Sequence, residues 1–415
     1  MPRPSLRSQL RRYLLISALA FCLTLLAAMS AVLLIDPYGI FPLAPVDGFN
    51  ARKVRLSHSQ FEVRSRNAAR LQADTWILGN SRAEMGFDPQ HPVFRQNKLA
   101  AYNLAVPGAG GAMSLQFAEA LAVQQTPKRV ILGVDFLDFL VDTQDVEPPL
   151  RHYQPSSLED ARWLLGTLFS ARSTLDAIKT LGLQRDPYAA YLTAQGFNPM
   201  LDYVKETRTS GAHAMFAQRA QESAKTYASK PRSLVTAASG TSVDWQALEA
   251  TLLQAKPGAT RVDVVIYPYH AQMRWLFAAF GLDGLFDDWR QDLVKRVDKI
   301  SKSQNLDVRV WDFSGFTSFH CEPIPAPSDR KTALKWYWEG GHFKKELGDH
   351  MLNQLFDVAD GLPPLGIQVT PGTLPAKKTQ DQLDETRCRS ELPTVLAGVQ
   401  SIKAKTAVPA RKPVR

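Results

Sequence analysis

The chain has 415 residues, 45% of them hydrophobic and 21% charged, with three cysteines and a formal charge of +9. That length suits about two or three domains. The composition excludes a wholly disordered chain, a collagen-like repeat and a multi-span transporter, and three cysteines exclude a disulfide framework. The charge sits at the two ends: residues 1–12 carry four arginines and no acid, and residues 376–415 carry nine Lys/Arg against four Asp/Glu. The 363 residues between hold 36 basic and 36 acidic groups. The basic, aromatic-interleaved stripe of a nucleic-acid interface is missing, so no nucleic acid is expected as a partner.

Tyr13 to Ile35 is a charge-free run of 23 residues. As a helix it would reach about 34 Å, enough for a hydrocarbon core of ~30 Å. The run continues past the small residues Ala28 to Ala31 and exceeds the about 7–15 apolar residues of a signal peptide. It therefore reads as an uncleaved anchor. The arginines before it place residues 1–12 in the cytoplasm and the rest outside, which is the periplasm in a Gram-negative cell.

Residues 36–70 read as a juxtamembrane linker broken by Pro37, Gly39, Pro42, Pro45 and Gly48. Five continuous apolar runs follow: Thr75 to Leu78, Ala101 to Val106, Arg129 to Phe136, Val262 to Pro268 and Val308 to Phe313. Continuous rather than alternating runs are the mark of strands buried on both faces of a parallel sheet. Amphipathic helix candidates lie at Met113 to Gln125, Asp244 to Lys256, Asp288 to Gln304 and His342 to about Phe356. The alternation predicts an α/β, doubly wound, mostly parallel five-stranded sheet over residues 71–359. Residues 145–240 interrupt it and read as a largely helical insertion. Residues 360–415, rich in Pro, Lys, Thr and Ala, read as a disordered basic tail. Cys321 and Cys388 would share an oxidising space, and a disulfide between them stays open.

In doubly wound sheets ligands bind beyond the carboxyl ends of the strands, so the loops after the runs carry the candidate chemistry. The first run ends in Gly79-Asn80-Ser81-Arg82. Ser81 there either presents its hydroxyl at the sheet edge or caps the next helix. The second run leads through Asn103 into Pro107-Gly108-Ala109-Gly110-Gly111. That is either an opening for an oxyanion or an ordinary glycine-rich turn. Glu339-Gly340-Gly341-His342 puts a carboxylate three residues before an imidazole. The pair suits the orienting acid and base of a nucleophilic triad, and equally a helix cap with a packed histidine. His270, after the fourth run, is a possible site-lining residue. His342, Glu346 and His350 have zinc-like spacing but are read as an ordinary exposed stripe, and His320-Cys321-Glu322 lacks a partner pair. Trp336, Tyr337 and Trp338 are either a sugar-stacking platform or core.

With these three pieces together, the chain resembles the SGNH/GDSL-like hydrolase superfamily. It is most similar to the membrane-anchored branch that includes the D-alanyl transfer protein of teichoic-acid modification and the alginate O-acetylation proteins. The resemblance covers roughly residues 70–140 and 260–357. Gly79-Asn80-Ser81 matches the family's Gly-x-Ser, Asn103 to Gly108 its Asn-to-Gly turn, and Glu339-Gly340-Gly341-His342 its acid-x-x-His. Two positions depart from the pattern. The family usually has Asp where this chain has Glu339. Asp135, in Gly133-Val134-Asp135-Phe136, stands where the family has an oxyanion-donating Asn, and an ionised carboxylate cannot donate a hydrogen bond.

The resemblance implies an extracytoplasmic serine esterase or O-acyltransferase acting on acyl esters, chiefly acetyl, of a cell-envelope or exported polysaccharide. Ser81 would be the nucleophile, His342 the base and Glu339 its orienting acid. Gly108 would donate an oxyanion N–H, with Arg82 as a further donor. No metal or organic cofactor is implied. Asp135 favours an alternative: a catalytically weak, membrane-anchored scaffold that binds polysaccharide or a membrane acyltransferase partner.

Overall fold

A computed structural model describes residues 5–41, 43–56, 58–144 and 146–406. The expected cytoplasmic segment before residue 5 and the end of the expected tail, 407–415, lie outside the described residues. The chain divides into two compact units: residues 1–59 with 154–194, and residues 60–153 with 195–415.

In the first unit the apolar run forms one helix, Leu6–Ile35, long and apolar enough to span a membrane. Asp36, in the left-handed region at φ 49°, ends it. Val32 and Ile35 pack against Ala177 of the helix Ala171–Leu183. That helix follows a second one, Ser157–Leu168, and each is capped by a serine, Ser170 and Ser156. A two-residue antiparallel ribbon, Lys53–Val54 with Tyr191–Leu192, closes the unit.

The second unit is built on a six-stranded sheet, five strands of it parallel. We label its strands β1 (Thr75–Leu78), β2 (Ala101–Asn103), β3 (Arg129–Val134), β4 (Arg261–Ile266), β5 (Asp307–Asp312) and β6 (Ile367–Val369). The order is β6-β5-β4-β3-β1-β2, and β6 pairs antiparallel with β5. Within the parallel part the order 2-1-3-4-5 reverses direction between β1 and β3, which is a topological switch point of a doubly wound sheet. Side chains alternate between two cores. Trp76, Leu78, Val130, Leu132, Val262 and Val264 face one core, and Ile77, Ile131, Val265 and Trp311 face the other. Both faces being covered explains why the runs read as unbroken apolar stretches.

Three expectations need correction. The linker does not reach residue 70: Gln60–Arg70 is a helix of the second unit. Its buried Arg64 donates to the carbonyls of Asn103 and Gly196, each at 3.0 Å, and pairs with Glu84. The insertion is not one body either. Residues 154–194 belong to the first unit, whereas the helices Leu201–Ser210 and Ala212–Ser229 belong to the second.

The largest correction concerns the tail, which folds as far as residue 406. After β6 come the helices Leu374–Glu391 and Pro393–Thr406. Leu374, Cys388, Leu392, Val395 and Val399 enter the main core. Cys388, Leu392, Val395 and Val399 are spaced by four, three and four residues, which keeps one face apolar, and Lys403 and Lys405 are exposed. At the end of β5, Arg290 holds Asp312 at 3.1 Å and Asp381 of this segment at 2.8 Å, and Lys377 donates to the Ser314 carbonyl at 2.7 Å. Cys321 and Cys388 are joined as a disulfide across 67 residues. Closing a loop of that size removes denatured-chain entropy worth about 4 kcal/mol in a chain-entropy account. Reduction, or Cys321→Ser with Cys388→Ser, is accordingly expected to lower the melting temperature clearly. Equal melting of oxidised and reduced protein would contradict this.

Candidate active site

The site forms at the switch point. Beyond β1 the chain turns through Gly79 at φ +143°, a conformation that L side chains rarely adopt. A Cβ there would also run into the Tyr267 hydroxyl and within 3.2 Å of the Ala83 Cβ. Asn80 follows in extended conformation and caps the helix Ser81–Gly86, its Oδ1 accepting the Arg82 N–H at 3.1 Å. The cap is therefore Asn80 and not Ser81, so the Ser81 hydroxyl is not used in capping. The Ser81 N–H lies in the first helical turn, where amides lack intrahelical partners.

Glu339 and His342 do not start the last helix, which runs Lys345–Leu355 and has no side-chain cap. They face each other across a hairpin, Tyr337–Glu339 with His342–Phe343, and Gly340-Gly341 makes the turn. His342 Nε2 lies 2.8 Å from Ser81 Oγ, although 261 residues separate them. His342 Nδ1 contacts Glu339 Oε1, and Glu339 Oε2 accepts the Gly341 N–H at 2.7 Å. A carboxylate can only accept, so the proton between them sits on Nδ1. Nε2 then carries the lone pair that accepts the Ser81 hydroxyl proton.

Burial opposes a charge on Glu339. The His342 imidazole, its hydrogen bond, the Arg219 guanidinium and the Gly341 amide outweigh burial and hold the carboxyl down at about 2. Burial lowers the His342 imidazole below its ordinary value, against the opposing pull of Glu339, and Arg82 and Arg219 add to the lowering. A neutral base beside an ionised carboxylate is the ground state that general-base catalysis requires.

Asp135 ends β3 and faces the same place, but not as an oxyanion group. Its carboxylate is ion-paired with the Arg82 guanidinium and accepts from the Tyr269 hydroxyl. It also accepts from Asn80 Nδ2 at 2.9 Å and the Leu137 N–H at 3.1 Å. Its charge is thus compensated and its lone pairs are used. Arg82 is correspondingly not free to serve an oxyanion through Nε or Nη1: Nη1 pairs with Asp135, and Nε donates to the Gly341 carbonyl at 2.6 Å. It ties the histidine hairpin to β1 and β3.

Asn103 is fully buried, with no exposed surface, and is a strut. Its Nδ2 donates to the carbonyls of Ala83 and Phe87, both at 2.8 Å, and its Oδ1 accepts the Ala105 N–H at 3.0 Å. Gly108 lies in an open turn at φ +72°, on a loop fastened to Gly79 by the Val106 N–H at 3.0 Å. His270 does not line the site for a ligand. Its Nδ1 caps the helix Ala271–Ala279 and its Nε2 bonds the Glu322 carbonyl at 2.7 Å. Burial presses it down to about 4. Its backbone N–H holds the Gly340 carbonyl at 3.1 Å, so it supports the hairpin from behind.

The remaining sequence candidates have other partners. His350 is bound by Asp360 at 2.6 Å and the Pro363 carbonyl at 2.9 Å, and His320 by Thr317 and the Phe313 carbonyl. Tyr337 is buried, whereas Trp336 and Trp338 are half-buried under Lys335 and Lys344.

Sequence reasoning missed Arg219. It lies on Ala212–Ser229 with its Nε 3.2 Å from Glu339 Oε1. The buried face of that helix, Met215, Phe216, Ala220 and Ala224, was readable as a 3.6-residue period, and Arg219 flanks it. No protein-family model, curated protein or solved structure matches the chain, so its assignment rests on this geometry.

Proposed function

We propose that the protein is a membrane-tethered serine esterase or O-acyltransferase of SGNH type. Its second unit would be extracytoplasmic and would act on acyl esters, chiefly acetyl, of a cell-envelope or exported polysaccharide. The observation that carries the reading is the continuous line from Ser81 Oγ through His342 to Glu339. The side of the membrane is supported by the arginines before the span and by the disulfide, which suits an oxidising compartment.

In this reading Ser81 attacks the ester carbonyl as His342 Nε2 takes its proton. The tetrahedral oxyanion is met by the N–H groups of Ser81 and Gly108. His342 returns the proton to the departing alcohol, leaving acyl-Ser81. Water then completes hydrolysis, or a sugar hydroxyl completes transfer. The scaffold alternative drew on Asp135 opposing the oxyanion, and the ion pair with Arg82 removes that argument.

The test is intact-protein mass spectrometry after incubation with p-nitrophenyl acetate. An acetyl adduct is expected on the wild type and none on Ser81→Ala. Equal labelling of the two proteins would end the serine reading. The pH dependence gives a second check. The base must be unprotonated, so acylation should hold through the ordinary imidazole range near about 6.5 and fall only below it. Arg219→Gln removes a cation that lowers His342, so its acid limb should move to higher pH. A wild-type midpoint above that of free imidazole would contradict the assignment of His342 as base.

A further inference from the structure

The first unit contains a helix turned inside out. On Ala171–Leu183 the buried side chains are Ser173, Asp176, Ala177 and Thr180, small or polar and at helical spacing. Their face meets the end of the spanning helix, and Tyr38 donates to Asp176 at 2.8 Å. The opposite face carries Leu175 and Ile178 in the open. The preceding helix covers Trp163, Leu164, Thr167 and Leu168 but leaves other apolar side chains out: Leu158 and Leu165 lie seven residues apart on one stripe, and Phe169 follows at the next turn. These five side chains are 50% to 74% exposed. A water-facing helix would show the reverse arrangement.

The place of this face identifies what covers it. Ala177 packs on Val32 and Ile35, the last turn of the span. If the hydrocarbon begins near Tyr13, about 20 residues cross it and the far boundary falls at about residue 33. The helix Ala171–Leu183 therefore meets the anchor within one helical turn of the bilayer edge, with its exposed apolar side chains at that level. Arg162, Arg172 and Lys179 flank the stripe with stems long enough to reach headgroups. Glu159 and Asp160 lie in the first turn, and Asp176 is on the inner face.

We propose that the two consecutive helices Ser157–Leu168 and Ala171–Leu183 form a second membrane contact. They lie flat in the headgroup–acyl boundary of the leaflet where the span ends, with Leu158, Leu165, Phe169, Leu175 and Ile178 inserted among the lipid chains. This inference stands independently of the catalytic reading.

The test uses the full chain carrying Cys22→Ser, reconstituted in vesicles of phosphatidylcholine and phosphatidylglycerol. Single variants Leu165→Cys, Leu175→Cys, Ile178→Cys and Glu159→Cys are labelled with an environment-sensitive dye. All four positions are exposed, so substitution should leave folding intact, and the melting temperature checks this. The first three labels should emit in the blue and be quenched several-fold more by lipids with a shallow spin label than by aqueous iodide. Glu159→Cys should show the opposite preference. Iodide-dominated quenching at all four positions overturns the proposal. Blue emission without lipid quenching assigns the stripe to a second copy of this chain and overturns it as well.

Discussion

Ser81→Ala is expected to lower the rate of acyl transfer by at least about 10³-fold while leaving the melting temperature unchanged. The hydroxyl is the only polar group on the Ser81 side chain, it is partly exposed, and among the described residues it bonds to His342 Nε2. Its loss opens no core cavity and strands no buried partner that water cannot reach. The effect should therefore appear in kcat and in the acyl adduct, and not in folding. Residual turnover would come from the oxyanion N–H groups and from bound substrate alone. Retention of more than about a tenth of the activity, with a normal fold, would remove Ser81 from the mechanism and take the esterase and transferase readings with it.

Arg82→Met is expected to cost about 3–5 kcal/mol of stability, because it leaves the Asp135 carboxylate buried without its cation. For a unit of this size that corresponds to a fall in melting temperature on the order of 10 °C. Asp135→Asn should be damaging for the converse reason, since it strands the guanidinium. The double variant Arg82→Met/Asp135→Asn should then lose less than the sum of the singles, the signature of two side chains that answer each other. Arg82→Met also releases the Gly341 carbonyl, so acylation should fall further than stability alone explains. Strict additivity in the thermodynamic cycle would show that the pair does not act as a unit.

Much of the architecture was legible residue by residue. The long apolar helix at the start, the five parallel strands and several of the helices between them follow from local apolar patterning, which depends only on what each segment must bury. Gly79 was legible as a turn for the same local reason. The folded tail was legible in principle, since Leu374, Asp381, Cys388 and Val395 recur every seven residues. The lysines of the segment, Lys377 buried among them, and its Pro/Thr flanks masked that period. β6 was not legible: it has three residues, two of them exposed, and is a strand only because β5 offers it an edge.

The candidate site divides along the same line. Sequence by itself determined which residue types stand at the carboxyl ends of the strands: a serine after a Gly-Asn turn, and an acid three residues before a histidine. It also determined that a charge-free helix precedes them. Only the tertiary structure decided that positions 81 and 342 meet, that Asn80 and not Ser81 caps the helix, and that Asp135 is neutralised by Arg82 instead of facing an oxyanion. It alone brought Arg219 to Glu339. Local pattern records what a residue must bury or expose. Whether a buried charge finds its partner depends on distant chain segments, 53 residues away for Arg82 and Asp135 and farther for Arg219 and Glu339, and no local pattern carries that information.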